Sequence, residues 1–116
     1  MQKKSFNTPD ETRNAPKTKI EVVNIGGQTL MRATFQPGWK WSQDVKPTAG
    51  TDSCQVHHLS YGISGHLKVV TDDGTEMELA PGDIADIPPG HDAWVVGDEP
   101  SVGIDLTGGT SYAKPN

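Results

Sequence analysis

Cysteine is almost absent from this sequence: Cys54 is the single one among 116 residues, so no disulfide can form within one chain. That scarcity is typical of proteins that work in a reducing compartment. Basic residues are also few, since 10 Lys and Arg stand against 15 Asp and Glu, for a net charge of −5. Phosphate backbones are bound by clustered Lys and Arg. We therefore expect no nucleic-acid partner.

Long hydrophobic runs are missing too. No stretch approaches the roughly 20 apolar residues that a membrane-spanning helix needs. The basic pair Lys3 and Lys4 is followed by polar residues, whereas a secretion signal would continue with an apolar segment. We therefore expect a cytoplasmic protein without a membrane partner.

The supply of core-forming residues is thin. Apolar and aromatic residues, with cysteine, make up 33% of the sequence, and 13 glycines add chain freedom without adding core. The length is that of one domain, and a domain of this size buries only roughly two thirds of the surface that its unfolded chain exposes. A small β-barrel, partly covered by a second subunit, fits this composition better than a large solitary core.

Helical periodicity is missing as well, because Gly or Pro interrupts nearly every segment with apolar residues three and four apart. Short runs of alternating polarity are frequent instead, and they stop at turn signals such as Asp73-Gly74 and Pro81-Gly82. Many short strands with such turns are typical of a β-sandwich or β-barrel. The expected organisation is a polar N-terminal arm, a barrel and a C-terminal tail, over residues 1–17, 18–108 and 109–116.

Three segments resemble motifs of the cupin family. Residues 60–69 are similar to the family's strand that ends in a tight glycine turn, here at Gly65. Residues 72–83 join Asp-Asp-Gly to Leu-Ala-Pro-Gly-Asp, and residues 82–90 have the family's spacing of Gly, five residues, Pro, one residue and Gly. The resemblance implies an all-β single domain with the cupin double-stranded β-helix, a jelly-roll barrel, and it implies dimers. It implies no particular reaction, because this fold hosts many chemistries.

The family resemblance also points to a metal site. Cupin metals are usually held by two His one residue apart, a following Glu, and a His after the second motif. Aligned on Gly65, these positions fall at Asp52, Cys54, His58 and Ala93, so all four depart from the usual residues.

The replacements still offer metal donors. Residues two apart on a strand face the same side, which groups Asp52, Cys54 and His58, and His91 lies two residues before Ala93. Thiolate, imidazole and carboxylate suit Zn²⁺, and Fe²⁺ tolerates a similar set. The sequence predicts a divalent metal held by Cys54, His58 and His91, with Asp52 as a further ligand. The alternative is a small buried thiol with no metal.

Other residues are predicted to line the pocket beside the metal, with room for a small-molecule ligand. Ser60 and Gly62 continue the inward side of His58, although Gly62 could instead mark a β-bulge or tight bend. Ala93 faces the same hollow, and Trp41 is a candidate wall of its mouth or a core residue. Asp86 shares its side of the strand with Ile84, which predicts an inward acceptor for a ligand imidazole; the alternative is a rim position.

Two apolar residues are predicted on the outer surface. Tyr61 and Ile63 alternate with the inward positions, and an exposed antiparallel sheet face should be polar. Their apolar side chains predict that this surface is covered by the N-terminal arm or by a second subunit, and the family resemblance implies a homodimer.

Three functions compete at this point. The first is a metal-dependent enzyme for a small molecule, the second a binding or sensing module without turnover, and the third a packed barrel without a site. No catalytic triad, carboxylate pair or phosphate loop is visible. Catalytic residues therefore stay unassigned, with only His57 and His91 as candidate general bases.

Overall fold

The computed structural model describes residues 1–114, so the last two residues of the predicted tail lie outside the described residues. Nine strands and two one-turn helices form within that range, and a 3₁₀ turn at Gly108–Thr110 follows the last strand. The strands and helices are β1 (Glu11–Ala15), β2 (Thr18–Ile25), β3 (Gln28–Phe35), α1 (Trp41–Asp44), α2 (Lys46–Ala49), β4 (His58–Ser64), β5 (His66–Thr71), β6 (Glu76–Leu79), β7 (Ile84–Ile87), β8 (His91–Val96) and β9 (Ser101–Asp105).

The strands form two antiparallel sheets. The larger has the order β1-β2-β3-β9-β4-β7, and the smaller has the order β6-β5-β8. Some neighbours are consecutive in the chain, as in β1-β2-β3, and others come from distant parts of it, since β9 pairs with both β3 and β4. Two antiparallel sheets joined in this way are typical of a jelly roll.

The hydrophobic core lies between the sheets. Alternation along β2 and β3 sends Ile20, Val22, Met31 and Phe35 inward, where all four are buried. Leu67 and the other inward residues of the small sheet pack against them. Burial of each large side chain contributes roughly 1.5–3 kcal/mol, so this layer holds the sheets in register around the interior.

A strand lies inside the segment predicted as a polar arm. β1 pairs with β2 along its whole length, from Glu11 opposite Val22 to Ala15 opposite Thr18. Arg13 of β1 is buried, and its guanidinium donates a 2.7 Å hydrogen bond to the carbonyl oxygen of Tyr112. The beginning and the end of the chain are therefore tied together against the larger sheet.

The two short helices are a correction to the expectation that helices are absent. α1 and α2 follow one another after Trp39, with Pro47 in the first turn of α2, where a missing N–H is tolerated. Gly50 ends α2 in the left-handed region, with φ of 75°. Helices of four residues are too short to show the periodicity on which the sequence prediction relied. No helix within residues 1–114 has the length and apolar character to cross a membrane.

Candidate metal centre

Three of the predicted ligands meet in the interior. One donor atom from each of Cys54, His58 and His91 lies within 4.8 Å of the others, and all three residues are buried. The Cys54 Sγ atom is 3.8 Å from His58 Nε2. The two imidazole rings meet edge to face, with centroids 5.2 Å apart. This spacing leaves the three donors pointing at one common volume.

Strand pairing brings these residues together. His58 is the first residue of β4, and His91 is the first residue of β8. Cys54 lies before β4 and forms an isolated bridge with His91: its N–H donates to the His91 carbonyl at 2.8 Å. The Gly90 N–H donates in return to the Cys54 carbonyl at 2.7 Å. The backbone thus fixes the thiol beside the second imidazole.

Both imidazoles are oriented by their Nδ1 atoms. His91 Nδ1 is 2.8 Å from the Pro88 carbonyl oxygen, which can only accept, so Nδ1 carries the proton. His58 Nδ1 donates to the carboxylate of Asp105. In each ring the lone pair is therefore on Nε2. A second hydrogen bond that sets tautomer and ring orientation is typical of metal-binding histidines.

Asp105 at the end of β9 is the residue that the sequence analysis missed. It is buried, and it also accepts hydrogen bonds from the backbone N–H groups of Thr107 and Gly108. Burial by itself would raise the pKa of its carboxyl, but the hydrogen bond and electrostatic attraction of His58, with those N–H groups, outweigh burial and lower the pKa. An acidic residue directly after the apolar Ile104 in the last strand was the signal that could have found it.

Gly108 is required where the chain passes over this pair. A Cβ atom at Gly108 would lie 2.7 Å from both Asp105 Oδ2 and His58 Nδ1. A glycine there lets the backbone approach closely enough to donate its N–H to Asp105.

The protonation states fit a soft divalent cation. Burial raises the pKa of the Cys54 thiol to about 11, so without a nearby cation it is neutral. Burial also lowers the pKa of His91, chiefly by desolvation, which keeps its imidazole neutral and able to donate a lone pair. A coordinated thiol is deprotonated by the cation. One thiolate and two imidazoles form a donor set that Zn²⁺ uses, with room for a fourth ligand.

Asp52 is not part of this cluster, contrary to the prediction. Its side chain is fully exposed, and its carboxylate is 3.9 Å from Lys46 Nζ. Residues 51–53 form a bend instead of a strand. The alternation that grouped Asp52 with Cys54 therefore does not apply there.

Asp86 also lies elsewhere than predicted. Ala85 and Ile87 are the buried residues of β7, whereas Ile84 and Asp86 face outward. The Asp86 carboxylate is 2.5 Å from Nε2 of His57, on the outer surface of the larger sheet. His57 is therefore not available as a base for the interior.

The other predicted pocket residues do surround one cavity. Its volume is about 60 Å³, and it extends from His58 and His91 between the sheets. Its walls include Trp41, Ser60, Gly62 and Ala93. Trp41 is almost fully buried, so it belongs to the wall rather than to an exposed rim.

The sequence left two roles open for Gly62, as a pocket-lining residue or as a β-bulge, and the structure shows both. It lines the cavity, and the register of β4 against β9 shifts between Gly62 and Ser64, as in a β-bulge. A Cβ atom at Gly62 would lie 2.4 Å from the Ala80 carbonyl oxygen. The absence of a side chain at Gly62 thus lets the backbone at Ala80 approach closely, and it leaves no free space in the cavity.

A second cavity lies on the other side of Cys54. It has a volume of about 160 Å³ and lies between α2 and the segment that contains Tyr112. Tyr112 and Trp41 border both cavities, and the Tyr112 ring meets His58 edge to face at 5.1 Å. These two side chains stand between the cavities: His58 and His91 line the first, and Cys54 lines the second.

Comparison with known proteins gives similarity at the level of the fold. No protein-family model and no curated protein matches the sequence. A protein of unknown function from Rhizobium leguminosarum bv. viciae 3841 superposes with a TM-score of 0.66 at 20% identity, over 100% of this chain and 98% of that one. KdgF from Halomonas sp. gives a TM-score of 0.60 at 21% identity, over 85% of this chain and 86% of that one.

A sugar phosphate isomerase from a cupin superfamily, from Silicibacter pomeroyi DSS-3, gives a TM-score of 0.62 at 21% identity, over 90% of this chain and 74% of that one. At such identities the likeness concerns architecture and not activity. The motif spacing, the two antiparallel sheets and these superpositions agree. The sequence prediction is confirmed: the chain is a small protein with the all-β cupin fold.

Proposed function

We propose that this protein binds a divalent metal, Zn²⁺ in preference to Fe²⁺, through Cys54, His58 and His91, and acts on a small molecule in the adjoining cavity. The observation that carries the proposal is the meeting of three buried donors within 4.8 Å. His58 and His91 donate hydrogen bonds from Nδ1 to Asp105 and Pro88, so the lone pair of each ring is on Nε2 and can bind a metal. Three protein ligands with an open fourth position are typical of catalytic zinc.

A bound Zn²⁺ ion would supply Lewis-acid polarisation of an oxygen atom of the cavity ligand. The protein's own residues prepare the site for it. Asp105 holds the proton on His58 Nδ1, and the Pro88 carbonyl holds the proton on His91 Nδ1. The three donor residues are buried, and electrostatic interactions are stronger in a buried site than in bulk water.

Metal analysis of purified protein tests the proposal. We expect about one Zn²⁺ per chain in the wild type by plasma mass spectrometry, and a loss of at least about tenfold in affinity in Cys54→Ala and His91→Ala. His57→Ala is the matched control, because this neighbouring histidine lies on the outer surface against Asp86. Wild-type protein without metal after growth in zinc, or equal loss in the control, would refute the proposal.

A binding module without turnover is the second candidate, and one observation favours it. The Nδ1 atoms of His58 and His91 are occupied, and His57 faces away from the cavity, so none of the three is free as a general base. An enzyme would then need to rely on the metal-bound ligand for proton transfer. Detection of a product from a bound ligand separates the two functions.

The proposal extends to a homodimer in the cytoplasm. Tyr61 and Ile63 are 43% and 47% exposed, and Ile84, the partner of Tyr61 across the β4–β7 pair, is 73% exposed. The N-terminal segment does not cover them, since β1 lies at the opposite edge of the larger sheet. This exposed apolar face favours binding of a second copy of the chain, which would cover it.

A further inference from the structure

The cavity has two chemically different parts. At one end are His58 and His91, and further along the inward side of β4 and β9 the polar groups are the hydroxyls of Ser60, Ser64 and Ser101. Most of the remaining wall is apolar. It includes Met31, Ala33, Phe35, Leu67, Val69 and Leu79.

Positive charge is missing from this wall. Among the described residues, no Lys or Arg lines the cavity. The buried Arg13 is engaged with Glu11 and with the Tyr112 carbonyl. The acidic group in the wall, Asp105, is engaged with His58. A phosphate or carboxylate placed away from the metal cluster would therefore be buried without a partner, which is strongly unfavourable.

One side of the cavity is aromatic. The rings of Phe35 and Trp39 are stacked at 3.8 Å, and Phe35 meets Tyr112 edge to face at 6.4 Å. Tyr112 in turn meets His58, so the row of rings leads to the metal cluster. The Trp39 Nε1 atom donates to Thr18 Oγ1, which leaves the ring as its contribution to the wall. Such a wall favours a flat, apolar molecule.

The middle of the cavity is kept open by small residues on adjacent strands. Ala33 of β3 pairs with Gly103 of β9, and both line the cavity. A Cβ atom at Gly103 would have a single neighbour within 4 Å, the Tyr61 carbonyl oxygen at 3.4 Å. Here, unlike at Gly62, the missing side chain leaves space.

From these features we propose that the cavity ligand is a compact, uncharged ring compound, with one hydroxyl or carbonyl oxygen facing His58 and His91. This inference rests on the proposed function, since the oxygen is the group that a metal would receive. It excludes sugar phosphates and other multiply charged molecules. The fold is shared with a sugar phosphate isomerase, but the cavity wall favours a different class of ligand.

The first test compares two probes on zinc-loaded wild-type protein by ¹H–¹⁵N NMR titration. Phenol is uncharged at neutral pH, and glucose 6-phosphate carries the excluded charge. We expect phenol to shift the amides of Ala33, Gly103 and Ser60, and to bind at least about tenfold more tightly than glucose 6-phosphate. Equal or stronger shifts of those amides with glucose 6-phosphate, or none with phenol at full zinc occupancy, would overturn the inference.

A variant and a metal-free sample complete the test. Ala33→Leu places bulk in the cavity and should weaken phenol binding by at least about tenfold, while Thr34→Leu, on the opposite face of β3, should leave it unchanged. Zinc content is measured on every sample. If phenol still shifts the cavity amides in protein that binds no zinc, the ligand class stands and the metal proposal fails. If Ala33→Leu folds, keeps zinc and binds phenol as the wild type does, the ligand class fails and the metal proposal stands.

Discussion

Two His–Asp pairs, whose histidines are adjacent in the sequence, lie on opposite faces of the same sheet. His57 and Asp86 meet on the outer surface with side chains 49% and 75% exposed, whereas those of His58 and Asp105 are 8% and 3% exposed. The two pairs have the same chemistry and differ in burial. Solvent screens the outer pair, while the inner pair has no water to replace either partner. The comparison teaches that adjacent histidines at the start of β4 point to opposite faces of the sheet, one to the surface and one to the site.

Removal of the inner carboxylate should have the largest effect. We expect Asp105→Ala to lower the free energy of unfolding of metal-free protein by about 3–5 kcal/mol, because His58 loses its acceptor in a buried position. Zinc affinity should fall by about 10–100-fold, since the ring orientation is no longer fixed. Urea unfolding and zinc titration measure the two effects.

The outer pair provides the matched control. Asp86→Ala should change stability by less than about 1 kcal/mol and leave zinc affinity unchanged. Equal losses from the two substitutions would show that burial does not distinguish the pairs.

Crowding of the inner pair should have a smaller effect. Gly108→Ala places a Cβ atom 2.7 Å from Asp105 Oδ2 and His58 Nδ1, so the backbone or the pair must shift. We expect a loss of about 1–3 kcal/mol in unfolding free energy and weaker zinc binding. Gly103→Ala is the control, because its new Cβ would meet only the Tyr61 carbonyl at 3.4 Å. If Gly103→Ala lowers zinc affinity as much as Gly108→Ala, the close approach at Gly108 is not what positions His58.

The fold was predictable because its signals are local. Alternating polarity and Gly or Pro turns marked the strands, and they required no knowledge of which strands pair. The same alternation placed His58, Ser60 and Gly62 on one side, since these residues do lie in a single strand, β4. Asp52 failed the same reasoning because residues 51–53 bend.

The rest of the site depended on pairing between distant segments. β7 has isoleucine on both of its faces, at Ile84 and Ile87, so its composition could not say which side is buried. The pairing of Ala85 with Ser60 decides it and turns Asp86 outward. Asp105 lies 47 residues after His58, and their contact exists because β9 inserts beside β4. The contact between His58 and Asp105 therefore cannot be predicted from the sequence without knowing that β9 pairs with β4.

The outer face can be tested separately through its apolar residues. If Tyr61, Ile63 and Ile84 form a dimer interface, Ile84→Lys should weaken association by at least about tenfold, because a charge would be desolvated between the copies. Sedimentation velocity over a range of concentrations measures the change. Lys19→Ile, on β2 away from this face, is a control for surface substitutions in general. A wild type that is monomeric at high concentration, or an unchanged dimer in Ile84→Lys, would contradict the proposed interface.

A third ion pair, intermediate in burial, should show the smallest effect and a defined pH dependence. The hydrogen bonds from Arg32 lower the pKa of Glu21, whose carboxylate is 2.8 Å from the guanidinium across the β2–β3 pair. A lowered pKa means that the pair stabilises the folded state above the ordinary pKa of glutamate, and that this contribution is lost as the pH falls below about 4.5. Glu21→Gln should therefore reduce stability by about 1 kcal/mol at pH 7 and by less at pH 3. The difference between variant and wild type in urea unfolding at the two pH values measures this, and a difference that does not shrink at pH 3 would show that packing of the side chain, and not its charge, is what Glu21 contributes.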